Sequence, residues 1–477
     1  MSPRVSLLAL LLIAACRAST VPPSPIPEPA AGLSEVWVDG ARGESGDGSR
    51  QRPFRTLGEA LALRPPPTVY VAAGLHEGPF VLPTGARLVG VGPSTVLYVE
   101  GREPVARIAT GASLERLTIQ GGGWGVEGAG AVRLEEVAFS GQREGAVRMT
   151  AGRLVAKESR FEASISETVG LALEGPVTAE VRESTFTGPF RRGVRVAGAE
   201  ALLEGVGFRE AVMALDQEGG RVRLRRVSVE GGRGAGLLVR DGTLQVEEVT
   251  VTGHEYGLAS HGAKLEVRGF TSVRAERAGL GLTRSTGLLE DLRVRESGSF
   301  GALQLVDSDL EVRGFRVDDV DGYGVAATKG KLRAREGNIS RVRSSEGFTG
   351  DGLHLRGVEA DIESVEVREA KGAGVLAAQG AEVTLRDVTL RGCENTGLLV
   401  ESLARVKAQG LEVRGTKGTA LAVLRDGEVS VDVLSASGLE EGLLWAECEG
   451  ATRVRLGRLK TEDRRGLPAP CVETLPR

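Results

Sequence analysis

With 477 residues and a formal net charge of −4, the chain is long enough for several domains and too balanced for the basic footprint that nucleic-acid binding needs. Its 68 glycines follow no collagen triplet, and only 4% of residues are aromatic. The apolar content therefore comes from Val, Leu and Ala, which with regularly placed glycines favour strands and tight turns.

The chain opens on a targeting pattern. Arg4 precedes the apolar run VSLLALLLIAA, which at about 11 residues is too short to cross a bilayer as a helix and fits the h-region of a signal peptide over residues 1–15. The run ends in Ile13-Ala14-Ala15-Cys16, which resembles the lipobox of bacterial lipoproteins. That resemblance implies export, cleavage before Cys16 and lipid attachment to its thiol. Arg17 next to it implies the outer membrane, facing the periplasm or the surface. A lipid anchor would then be the only membrane contact, since no later stretch is apolar enough to span a bilayer. Residues 16–34, rich in Pro, Ser and Ala, read as an extended tether.

Residues 35–110 read as an N-terminal cap with the first coils. Thr56-Leu57-Gly58-Glu59 is a capping box, Leu57, Ala60 and Leu61 can form one apolar face, and Pro65-Pro66-Pro67 stops the helix. A short amphipathic helix of this kind suits the open end of a stack of strands. The loop ESGDGS, Glu44 to Ser49, reads as a solvated turn, with calcium at Glu44 and Asp47 as the alternative and no other cofactor expected. His76 reads as a loop residue.

From residue 111 to 477 one template recurs, h-x-h-x-x-h-x-h with h apolar, as in VRLRRVSV (222–229), LQVEEVTV (244–251) and VTLRDVTL (383–390). Its second apolar position falls at 134, 156, 181, 203, 224, 246, 267, 289, 312, 334, 362, 385, 408, 431 and 456. A period of about 22 residues, sustained this far, is the mark of a solenoid and overrules the multi-domain prior. The period-two alternation makes each segment a strand, and the doubled x marks a bend between two short strands. A third apolar pair follows, introduced by glycine: Gly236-Leu237, Gly257-Leu258, Gly281-Leu282, Gly324-Val325, Gly374-Val375, Gly397-Leu398. Three short strands per turn describe an all-β fold, a single parallel β-helix of about 15 coils. A lone coil loses more chain entropy than its few apolar side chains return, so the coils must stack.

Within that frame His254 and His261 fall in turns and read as decoration. Outward positions of the first strand are polar: Arg133, Arg223, Gln245, Glu266, Glu311, Arg333, Asp361, Lys407. Those of the third strand are less so: Ala172, Ala214, Leu238, Ala259, Ala326, Leu376, Leu399, Ala422 and Leu444, interrupted by Arg195, Gln304 and His354. Such an apolar stripe, with Leu238, Leu376, Leu399 and Leu444 as its largest members, reads as a partner face or as a surface covered by other parts of the chain. At the far end Cys448 and Cys471 lie 23 residues apart, close to one period, and are expected to form a disulfide; Cys393 remains a lone thiol near the wall.

The segment VWVDG…SGDGSRQRPFRTLGEALA (36–62) resembles the opening of many secreted β-helix proteins, and TVYVAAGLHEGPFVLPTGARLVGVG (68–92) resembles the coils that follow it. Over about residues 35–460 the chain is similar to the right-handed parallel β-helix, pectate-lyase-like superfamily. That resemblance implies the right-handed fold and leaves function open, because the superfamily includes lyases, glycosidases, epimerases, adhesins and scaffolds. The paired-aspartate, Gly-His-Gly and Arg-Ile-Lys set of its polygalacturonase-like members is missing, as are a calcium-and-arginine column and the Asp-Pro-His of mannuronan epimerases.

The longest unit, residues 331–357, carries the one candidate for chemistry. An extra loop, SSEGFTGD, precedes Asp351-Gly352-Leu353-His354-Leu355-Arg356, and if Leu353 and Leu355 face inward, His354 and Arg356 face out. Asp318, Asp319 and Asp321 lie one coil earlier, so an acid, a base and an arginine could converge. The sequence thus favours an envelope-anchored structural or recognition scaffold, binding a glycan or an envelope protein, with a polysaccharide-processing enzyme sited near 318–356 as the alternative.

Overall fold

The repeat translates directly into stacking. In the computed structural model, which describes residues 34–344, 347 and 350–474, Leu203, Leu224, Val246 and Val267 pair in parallel on successive coils. The same ladder passes through every position of the 22-residue repeat from Leu134 to Leu456. All of these side chains are buried. The signal segment, most of the tether and Cys16 lie outside the described residues.

The bend predicted between first and second strands is one left-handed residue. Glu136, Arg226, Glu248, Asp291 and Glu336 have φ of 53, 49, 58, 54 and 55°, and glycine takes the position at Gly205, Gly269 and Gly314. A non-glycine residue pays about 1 kcal/mol for this conformation, which the strand pairing on either side offsets. The glycine before the third strand serves another need. A Cβ on Gly236 would lie 2.4 Å from Val251 Cγ1, and one on Gly352 2.4 Å from Val367 Cγ1, so the chain must be bare where it passes over its own second strand. Four of the few aromatic residues share one interior ladder: Phe139, Phe161, Phe186 and Phe208 stack with ring centroids 5.0, 4.4 and 4.7 Å apart.

The solenoid has about 18 turns rather than about 15. The difference lies mainly at the N-terminal end, where the first-strand ladder continues through Val36, Val69, Leu88 and Leu114. Those steps are 33, 19 and 26 residues (69−36, 88−69, 114−88), so no fixed period reveals them.

Both ends are blunted. The helix α1 (Leu57–Leu61) has the capping box at Thr56 and Glu59, and buries Leu57, Ala60 and Leu61 against the first strands. The strand Glu35–Val38 is covered on its free edge by the loop after it: Trp37 N donates to Gly48 O, and Phe54 N to Trp37 O, both at 2.9 Å. The ESGDGS loop therefore works as an edge cover, with Asp47 accepting from Ser49 N and pairing with Arg52. At the other end Cys448 and Cys471 are bonded, Cα–Cα 5.1 Å, and hold Val472–Thr474 as the last strand.

Two histidine readings change. His76 sits in the strand Gly74–Glu77, in register with the interior residue Leu97, and its ring donates to Ala72 O at 3.1 Å. His254 lies in the turn but points inward, only 1% exposed. It belongs to a corner column three residues past the second-strand core position, shared with Gln142, Ala211, Gly232, Cys393 and Thr416. A Cβ on Gly232 would lie 2.3 Å from His254 Nε2, so the glycine makes the room that the ring fills. Burial holds the His254 imidazole below its ordinary value, and burial in the same column pushes the Cys393 thiol up to about 12. His261 alone stays on the surface side, accepting from Arg284 at 2.7 Å.

Candidate functional site

The third strands place one outward residue per coil in a single row. Reading upward, the row is Val81, Arg107, Glu127, Arg148, Ala172, Arg195 and Asp216, then Leu238, Ala259, Gly281, Gln304, Ala326, His354, Leu376, Leu399, Ala422 and Trp445. Two assignments from sequence shift, by one residue at Leu444 and by two at Ala214. Leu444 is in register with Leu421 inside the solenoid and 4% exposed, and Trp445 takes the outward place at 57%. The cause is Leu443, which fills the spot that glycine or alanine holds in other coils, so Gly442 stands one residue early. Ala214 likewise precedes the interior Leu215, and Asp216 is the outward residue.

The lower row is closed by its own charges. Arg107 and Arg148 pair with Glu127, Arg148 and Arg195 with Glu174, and the buried Asp216 with Arg192 and with Arg240 at 2.6 Å. The outward face of the first strands is similarly self-paired. Depressions of about 430 and 500 Å³ open there, lined by ion pairs such as Arg225–Glu247, Arg268–Glu290, Lys331–Glu359 and Arg386–Asp361.

In the upper row Leu353 and Leu355 face inward and are fully buried, which turns His354 outward. His354 Nδ1 donates to Asp351 Oδ2 at 2.7 Å, and Asp351 Oδ1 accepts from Ala373 N at 2.7 Å. Both residues are 6% exposed. Gly372 is required beside them, since a Cβ there would lie 2.3 Å from Asp351 Oδ1. The Tyr323 ring, one coil below Asp351, stands 4.4 Å from the imidazole. Because the carboxylate can only accept, Nδ1 carries the proton and Nε2 is the basic nitrogen, the arrangement of an oriented general base.

The other predicted members do not join this pair. Asp318 bonds Ser340 at 2.7 Å and pairs with Arg341, while Asp319 and Asp321 both pair with Arg343. These contacts lie where the second strand ends, a corner away from the third-strand row. Arg356 is half-buried beside His354, its Nε buried and without a partner among the described residues. Of the expected partner face, Leu376 and Leu399 pack with Ala373 and Ala378 in a small cluster outside the main core, and Leu238 is half-buried further down. Tyr323 was missed from the sequence, because alternation alone assigns the residue two before the interior Val325 to the inward side. Among the described residues no three His, Cys, Asp or Glu side chains group to hold a metal ion, and no helix is long and apolar enough to cross a membrane.

These features define a parallel β-helix. No family model matches the chain, and no curated protein matches it. Among solved structures it is similar to an alginate lyase from Paenibacillus sp. (14% identity, 52% of this chain and 91% of that one, TM-score 0.31). It is also similar to the catalytic unit of an α-1,3-glucanase from Streptomyces thermodiastaticus (14%, 89% and 71%, TM-score 0.33). The A-module of a mannuronan C-5 epimerase from Azotobacter vinelandii is a third (13%, 80% and 91%, TM-score 0.20).

Proposed function

We propose that the chain is a polysaccharide-processing protein that engages its ligand along the upper third-strand row and moves a proton at His354, held by Asp351. The observation that supports this reading is the Asp351–His354 pair itself. An acid–imidazole pair that is buried yet set on the outward side of a β-helix has no packing role that Leu353 and Leu355 do not already fill. Linear polysaccharides incubated with the full chain should yield either unsaturated or new reducing ends, and His354→Ala should abolish them. Product formation unchanged by that substitution, or none from any polysaccharide, would overturn the proposal.

A second reading, recognition without turnover, is favoured by the engagement of Asp318, Asp319 and Asp321 with arginines, which leaves a single carboxylate beside His354. Under it, binding persists, no product forms, and an envelope protein could replace the glycan as partner. In either case we place the chain in the bacterial envelope, anchored through lipid on Cys16. Cys16→Ser should release it from membranes and end incorporation of labelled fatty acid.

A further inference from the structure

The upper row differs from the lower in one property that bears on the ligand. From Leu238 to Trp445 it carries no ionic side chain apart from His354, whereas the lower row carries Arg107, Glu127, Arg148, Arg195 and Asp216. An acidic polysaccharide brings a carboxylate at each charged sugar, and pressing it onto this face would desolvate those charges without partners. On the two flanking outward rows above Leu238's coil, Arg356 is the single arginine or lysine among the described residues, Asp351, Glu401 and Glu447 add negative charge, and Arg277 and Arg284 beside these rows are engaged by Glu255 and His261. Three aromatic residues, Tyr256, Tyr323 and Trp445, fall on the same stretch, whereas Trp124 of the lower half is covered by Arg148, 6.0 Å from its ring centroid. A Cβ on Gly281 would meet the Tyr256 ring at 3.0 Å, so that ring lies across the row, Tyr323 stands against His354, and Trp445 is the most exposed of the three. Trp445 is four rungs above His354, roughly 19 Å at the spacing of paired strands.

We infer that the upper row is a binding track for an uncharged polysaccharide, with Trp445 as a platform on which a sugar ring stacks at its far end. This rests on the proposed ligand class and narrows it. Charge complementarity selects a neutral chain, and the straightness of the row selects an extended one. An open aromatic face beside Leu399 and Ala422 offers a ring contact without asking for a counter-ion.

Affinity electrophoresis of the full chain in gels containing soluble β-glucan, dextran, galactomannan, alginate or polygalacturonate tests it. At least one neutral polymer should retard the protein, with little change between low and high salt. Trp445→Ala should weaken that retention about tenfold, the scale of one lost stacking contact, while leaving binding of a disaccharide unchanged. Leu399→Asp should remove it; should that variant misfold, the exposed Trp445 keeps the test decisive. Salt-sensitive retention by the acidic polymers alone, retention indifferent to Trp445→Ala, or none at all would overturn the track. Neutral binding without any product would overturn processing at His354 and leave the track standing. Turnover of alginate that requires His354 would do the reverse.

Discussion

The lower and upper halves of the third-strand row are built on the same rails and present opposite surfaces. Below, Arg107, Glu127, Arg148, Arg195 and Asp216 are joined to one another or to Glu174, Arg192 and Arg240, so the face satisfies itself. Above, small and apolar residues surround one acid–imidazole pair, with Arg356 beside it and no ionic side chain in the row itself other than His354. The interior explains why this is permitted. Parallel in-register stacking constrains the inward positions mainly to Val, Leu, Ile, Phe and Ala, while outward positions are asked only to avoid like charges one above another. Function can therefore occupy a stretch of the row without disturbing the fold beneath.

Four experiments break or sharpen that contrast. His354→Ala and Asp351→Asn should each lower turnover by about 10²–10⁴, the usual worth of a positioned general base, whereas Arg148→Ala in the lower row should leave product formation unchanged. Gly372→Ala should lower turnover by about 10–100-fold, because its Cβ displaces Asp351 Oδ1 and with it the imidazole; thermal unfolding close to that of the parent would locate the effect in the site. Asp216→Ala should destabilise by about 1–3 kcal/mol in denaturant titration. That lies below the usual penalty for orphaning a buried pair, since Arg192 and Arg240 keep partial access to water. Arg133→Ala, on the outward face of the first strands and away from the row, should change nothing measurable.

A small effect concerns pH. His254 is held below its ordinary value of 6.5 by burial, so the unfolded chain binds the proton more readily than the folded one. Stability contributed by the neutral ring is complete above about 6.5 and falls as pH drops below it. His254→Gln, copying Gln142 of the same corner column, whose amide donates to Ile119 O and Ser140 O, should flatten that slope while preserving the fold. A slope unchanged by the substitution would assign the acid sensitivity elsewhere.

How much was legible from sequence divides along the same line. The interior ladder was read position by position from Leu134 to Leu456, and the capping box and the Cys448–Cys471 spacing stood in plain view. The first coils were obscured by irregular steps, and His76 and His254 looked like turn residues because nothing local says that a turn closes over its own side chain. Of the proposed site, the outward direction of His354 and Arg356 followed from Leu353 and Leu355, but the removal of Asp318 and Asp319 by Arg341 and Arg343 did not.

The sequence by itself determined the coil, its period and its inward face, because alternation is local and stacking merely repeats it. The tertiary structure alone decided which outward groups meet. Neighbours on that face are a whole coil apart in the chain, so an offset of one residue, as at Gly442, exchanges Leu444 for Trp445. Whether a carboxylate finds a histidine or an arginine depends on which corner of the coil it occupies.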